Sequence, residues 1–187
     1  MNKLSLADVT RLIDAVNARR LELYKSEHNA EQDSGHNPEQ DSQRKMQHNS
    51  QSVACMENSD EEQRLNAIFQ TNNSLAVYGT LAPGRSNYHI VEHLGGEWTE
   101  GLIEGNLQET GWGATLGYPA FRPKAGGPIL QIRVLKSSLL PNGWADLDEF
   151  EGHEYQRILV PVFCADAETV GSDRRLYTVA NLYAARE

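Results

Sequence analysis

The chain has 187 residues, a formal net charge of −9 and a hydrophobic share of only 39%, so the apolar material has to be concentrated in part of the chain if it is to form a core. A pI of about 5.1, with no basic cluster beyond the pairs Arg19-Arg20 and Arg174-Arg175, argues against a nucleic-acid partner, because phosphate binding needs clustered Lys and Arg. The two cysteines, Cys55 and Cys164, lie far apart, charges at Lys3, Asp8, Arg11 and Asp14 interrupt any leader-like run, and no apolar stretch approaches bilayer length; a cytoplasmic protein with no membrane span is the expectation.

Near the start, Leu4, Val9, Leu12, Ile13, Val16 and Leu23 recur at helical spacing, and Ser5 is followed three residues on by Asp8. This pattern predicts a capped amphipathic helix over residues 5–25, within a first segment 1–26. Its apolar stripe is narrow and needs a partner: the rest of the chain, another protein, or a second copy, so that the helix would mediate self-association.

From Glu27 the composition turns to Gln, Asn, Ser, Asp, Glu and His, too polar to offset the entropy of ordering. Residues 27–70 are therefore expected to be a disordered linker, with a short helix over 60–70 where Leu65, Ile68 and Phe69 share a face. The histidines of the linker, His28, His36 and His48, are widely spaced, and His89 and His93 lack a clear third ligand, so no metal site is expected.

After Asn72 the pattern changes to short β-type runs punctuated by glycine. Leu75 to Tyr78, Ile129 to Leu135, Ile158 to Phe163 and Leu176 to Tyr183 read as strands. Leu139 to Glu151 reads as a short helix whose start Pro141 and Gly143 would push to later residues. The stretch from Gly101 to Gly117 reads as a glycine-rich connection. Several strands and one helix predict an α+β domain over residues 75–187, a small mixed β-barrel with short flanking helices.

Two segments can do chemistry. In Val77-Tyr78-Gly79-Thr80-Leu81 a strand ends abruptly in a turn, which can present consecutive backbone N–H groups to a carboxylate or an oxyanion. In Leu147-Asp148-Glu149-Phe150-Glu151-Gly152, followed by Glu154-Tyr155-Gln156-Arg157, carboxylates crowd around apolar Leu147 and Phe150. A carboxylate held there would have the raised proton affinity that a general base needs near neutral pH; the plain alternative is an acidic helix end paired with Arg157. Cys164, with His89 or His153, is a poor candidate for a thiol hydrolase, since it continues an apolar run and reads as a buried small hydrophobe.

Together these segments resemble the γ-glutamylcyclotransferase family, in particular its γ-glutamylamine cyclotransferase and bacterial AIG2-like branch. The resemblance rests on Tyr78-Gly79-Thr80-Leu81 with Gly84, on Gly117-Tyr118-Pro119-Ala120, and on Leu147 to Gly152 with Tyr155 and Arg157. It covers Leu75 to Ala184. It implies a cofactor-independent enzyme, with no metal, that releases 5-oxoproline and an amine or amino acid from a small-molecule γ-glutamyl substrate. By the same resemblance, Glu151 is the general acid/base, and Tyr78, Gly79, Thr80 and Leu81 hold the γ-glutamyl head, with Tyr155 as a further pocket residue. Asp148 and Glu149 are not nominated. Where many relatives carry a Gly-Glu pair in the strand before the helix, this chain has Leu130-Gln131. The alternative from another class is a non-catalytic binding module on the same fold.

Overall fold

The computed structural model describes residues 4–32, 59–108, 120–165 and 174–186. The expected linker between 33 and 58, Cys55, and Gly117, Tyr118 and Pro119 lie outside the described residues. The chain divides into two compact units, Met1–Leu65 and Asn66–Glu187.

The first unit opens with helix α1, Leu6–Gln32. Ser5 and Asp8 cap it reciprocally: the Ser5 N–H donates to Asp8 Oδ2 at 3.1 Å and the Asp8 N–H to Ser5 Oγ at 3.2 Å. The helix does not stop at residue 26 as expected. Loss of apolar periodicity at Glu27 removes packing, but Glu27, Ala30, Glu31 and Gln32 are good helix formers and no glycine precedes Gly35, so local propensity carries the backbone on. The buried face of α1 is Val9, Ile13, Val16 and Arg20. Arg20 is paired with Glu62, which is also buried. Glu62 belongs to α2, Asp60–Phe69, whose start is capped by Ser59 Oγ accepting from the Glu62 N–H at 3.1 Å.

In the second unit the strands, in chain order, are β1 Ser74–Val77, β2 Glu97–Gln108, β3 Ala120–Pro123, β4 Ile129–Lys136, β5 Tyr155–Phe163 and β6 Leu176–Ala185. Their order is β3-β2-β4-β1-β6-β5, and β5 also meets β2 at Phe163 and Leu102. That last pairing closes β2, β4, β1, β6 and β5 into a barrel, with β3 extending β2 outside the ring. The barrel is mixed because β1 runs parallel to β6 and antiparallel to β4.

Alternation along the strands divides the apolar residues into two cores. Ala76, Ile132, Val134, Ile158, Val160, Val162, Ala180 and Leu182 fill the barrel. Leu75, Val77, Leu135, Tyr155 and Tyr183 point outward and pack with Leu140, Trp144 and Leu147 of the helix α4, Leu140–Glu151. Strand β1 is buried on both faces, which is why it reads as an unbroken apolar run.

Three expectations need correction here. Of the connection expected from Gly101 to Gly117, residues 101–108 are instead part of β2, the longest strand described, and 109–117 lie outside the described residues. Glycine marks close contact within β2: a Cβ at Gly101 would lie 2.5 Å from Val162 Cγ1, and one at Gly105 would lie 2.4 Å from the Phe121 ring. Pro141 does not delay α4 but occupies its first turn, where the missing N–H costs nothing, and Gly143 is buried against Leu94. Cys164 is only partly buried, because β5 ends one residue earlier. A four-residue helix α3, His89–Glu92, precedes β2.

Candidate active site

On α4, Leu140, Trp144, Leu147 and Glu151 succeed one another at spacings of four, three and four residues, so Glu151 falls where the buried stripe would continue. Trp144 fixes the helix: its indole N–H donates to the Asn72 carbonyl at 3.0 Å, and the Arg157 guanidinium lies 4.5 Å from its ring centroid. The helix stops at Gly152, whose φ of 70° disfavours any residue with a side chain and whose N–H donates to the Asp148 carbonyl at 3.1 Å. Glu151 thus stands in the last turn, against the barrel.

A cleft of about 550 Å³ opens there, lined by Tyr78, Gly79, Thr80, Leu81, Glu151 and Tyr155, so every residue singled out from the sequence for the site lines one cavity. Arg85, Ser86, Leu107 and Tyr183 also line it. Phe150 does not; it is 41% exposed, on the helix face away from the stripe. The apolar surface of the cleft comes instead from Leu75 and Val77 of β1, with Tyr183 of β6.

Burial pushes the Glu151 carboxyl up to about 7, and the nearby charge of Asp148 adds to this. The negative end of the α4 dipole acts in the same direction. Asp148 is anchored from below: it accepts from the Tyr183 hydroxyl at 2.6 Å and from Arg157 Nη2 at 3.1 Å. These partners stand on neighbouring strands and face outward toward the helix, Arg157 on β5 and Tyr183 on β6. Neither Asp148 nor Tyr183 was singled out by motif reasoning. The signal that points to Asp148 is its place one turn before Glu151 with Arg157 nine residues on.

The tyrosines of the cleft stay protonated. Burial raises the Tyr78 phenol, even though its oxygen accepts the Phe121 N–H at 3.2 Å. Burial also raises Tyr155, with Glu151 contributing, and it raises Tyr183 strongly, with Asp148 contributing.

The turn after β1 is held by the Asn87 N–H donating to the Thr80 carbonyl at 3.1 Å and by Asn87 Nδ2 donating to Thr80 Oγ1 at 3.0 Å. The Ala82 N–H donates to the Gly79 carbonyl at 3.4 Å. These bonds use the carbonyls of Gly79 and Thr80 and not their N–H groups. The site therefore combines a carboxyl poised near neutrality, protonated phenols and a hydrogen-bonded turn at the end of a strand. Such a set can move one proton and orient a polar substrate.

Residues 75–187 match the family model described as γ-glutamyl cyclotransferase, AIG2-like. No curated protein matches the chain. Among solved structures, the uncharacterized protein PH0828 from Pyrococcus horikoshii is similar at 18% identity, covering 60% of this chain and 76% of that one, with a TM-score of 0.40. At5g39720.1 from Arabidopsis thaliana is similar at 22% identity over 60% of this chain and 68% of that one, also with a TM-score of 0.40.

Proposed function

The chain belongs to the γ-glutamyl cyclotransferase, AIG2-like family through residues 75–187, and from that premise we propose that it cyclises a γ-glutamyl substrate to 5-oxoproline with Glu151 as general acid/base. The observation that carries this reading is a carboxyl with a pKa near 7 in the same cleft as the Tyr78 to Leu81 turn.

In the proposed reaction, ionised Glu151 takes a proton from the substrate's α-ammonium group. The freed amine attacks the γ-carbonyl carbon of the same molecule, forming the ring C–N bond. The tetrahedral centre then collapses, the bond to the leaving nitrogen breaks as Glu151 returns its proton there, and the second proton shed by the ring nitrogen passes to the released amine, which departs as an ammonium. Atoms balance with no water and no cofactor: one γ-glutamyl compound gives 5-oxoproline and one amine or amino acid. Because both reacting groups lie on one molecule, the protein's task is to hold the folded conformer, a proximity effect. The N–H groups of the turn are suited to steady the substrate carboxylate or the developing oxyanion. Tyr155, protonated and in the same cleft, is placed to donate to the substrate.

The test is 5-oxoproline release from a panel of γ-glutamyl amino acids and γ-glutamyl amines. Wild type should turn over at least one, and Glu151→Gln should lose at least about a hundredfold, the lower range for general base catalysis. Undiminished turnover in Glu151→Gln would remove Glu151 from the mechanism. No product from any member, with ligand binding retained in Glu151→Gln, would favour a non-catalytic binding module.

A further inference from the structure

Beside the catalytic cleft lies a second one of about 270 Å³, lined by Arg85, Glu100, Gln131 and Arg133 together with Val77, Tyr78 and Gly79. The two cavities share Val77, Tyr78, Gly79 and Arg85, whereas Glu151, Tyr155 and Tyr183 line only the first. Gln131 thus falls in the second cleft and away from the base.

We propose that this second cleft receives the leaving group of the γ-glutamyl substrate and favours one that carries a carboxylate, an amino acid rather than a simple amine. The inference rests on the cyclotransferase reading for its orientation. The reacting α-amino group and γ-carbonyl have to lie at Glu151, so the part of the substrate that passes beyond Gly79 is the part across the scissile bond.

Gly79 supplies a separate observation. It does not adopt a left-handed backbone, and a Cβ built on it meets no atom within 4 Å. Neither conformation nor protein packing asks for glycine there. A methyl group would stand in open space next to both cavities, so the glycine keeps their junction clear for a ligand.

Charge sets the preference. Arg133 is balanced by Glu100 at 3.0 Å, Gln131 is neutral, and Arg85 has no side-chain partner among the described residues. The second cleft therefore carries a net single positive charge in a chain whose total is −9. A guanidinium fork matches a carboxylate with two parallel hydrogen bonds. A leaving group ending in an ammonium would instead meet an unbalanced cation.

Calorimetric Kd values for γ-glutamyl-alanine and γ-glutamyl-ethylamide, measured on Glu151→Gln so that neither is consumed, read the subsite without turnover. The ethylamide keeps the head and lacks only the second carboxylate. The alanine compound should bind more tightly, and adding Arg85→Gln should weaken it about tenfold more than it weakens the ethylamide. Gln131→Glu should reduce the same preference by cancelling the cleft's charge; both residues are exposed, so neither substitution endangers the fold. Equal loss for both ligands in Arg85→Gln would place that arginine on the head's own carboxylate and overturn the proposal, as would no preference in either background. Parallel 5-oxoproline assays on the wild type separate the two ideas: binding preference with no product would sink the cyclotransferase reading alone, and product without preference would sink the subsite alone.

Discussion

Glu151 carries a stability cost that follows from its chemistry. Its carboxyl titrates near 7 in the folded chain against an ordinary value of 4.5, so between those values the folded state binds more protons than the unfolded one. Stability contributed by this group is present below about pH 4.5 and is lost as pH rises through about 7. Glu151→Gln, neutral at every pH, should therefore be more stable than wild type at pH 8 by about 2 kcal/mol, allowing for the solvent that still reaches the carboxyl. At pH 4 the two should unfold at nearly the same denaturant concentration. Equal midpoints at pH 8 would mean that the carboxyl is ordinary, and the case for a general base would fail with it. Activity should respond in the opposite sense, with the acid limb of kcat/KM for wild type falling near pH 7. Asp148→Asn removes a negative charge that raises the Glu151 carboxyl and so favours its ionised form; the limb should move to lower pH. A limb that stays in place would show Asp148 to be structural only.

Individual elements fix where that carboxyl stands. Gly105→Ala would drive a Cβ to within 2.4 Å of both the Phe121 ring and the Arg122 carbonyl, separating β2 from β3. Because Phe121 is fully buried and its N–H meets the Tyr78 hydroxyl, the strain should reach the site. We expect a loss of about 1–3 kcal/mol in urea unfolding, as for overpacking elsewhere, accompanied by weaker substrate binding; an unchanged midpoint would contradict this packing. The same glycines explain what could be read from the chain. Strands β1 and β4 were legible as apolar runs, and β5 and β6 through their apolar, β-branched and aromatic content. Strand β2 was not, because Gly101 and Gly105 answer to neighbours distant in sequence, Val162 and Phe121, and local pattern carries no trace of them. The site divides along the same line. Glu151 and the Tyr78 to Leu81 turn are local motifs, while Tyr183 reaches Asp148 across 35 positions and becomes visible only when β6 packs beside β5.

The barrel unit as a whole begins before its first strand. Residues 66–73 form no strand, yet they are tied into the barrel by side chains that arrive late in the sequence. Asn181 Nδ2 donates to the Thr71 carbonyl at 2.7 Å, and Trp144 Nε1 donates to the Asn72 carbonyl at 3.0 Å. Asn66 holds the segment in shape, its Oδ1 accepting from the Asn72 N–H at 2.9 Å. Sequence composition placed the start of the domain at residue 75, after the last polar run. A chain begun there loses the carbonyls to which Trp144 and Asn181 donate, and an unmade bond at the buried Trp144 indole alone costs about 1–3 kcal/mol, a large share of the stability of a domain this size. A chain begun at Asn66 keeps every one of these bonds. We therefore expect the 66–187 fragment to unfold in one cooperative step with the turnover of the full chain, and the 75–187 fragment to aggregate or unfold without a sharp transition. Cooperative unfolding of both fragments at the same denaturant concentration would show that residues 66–74 contribute nothing to the barrel. Loss of cooperativity in both would move the boundary into the first unit.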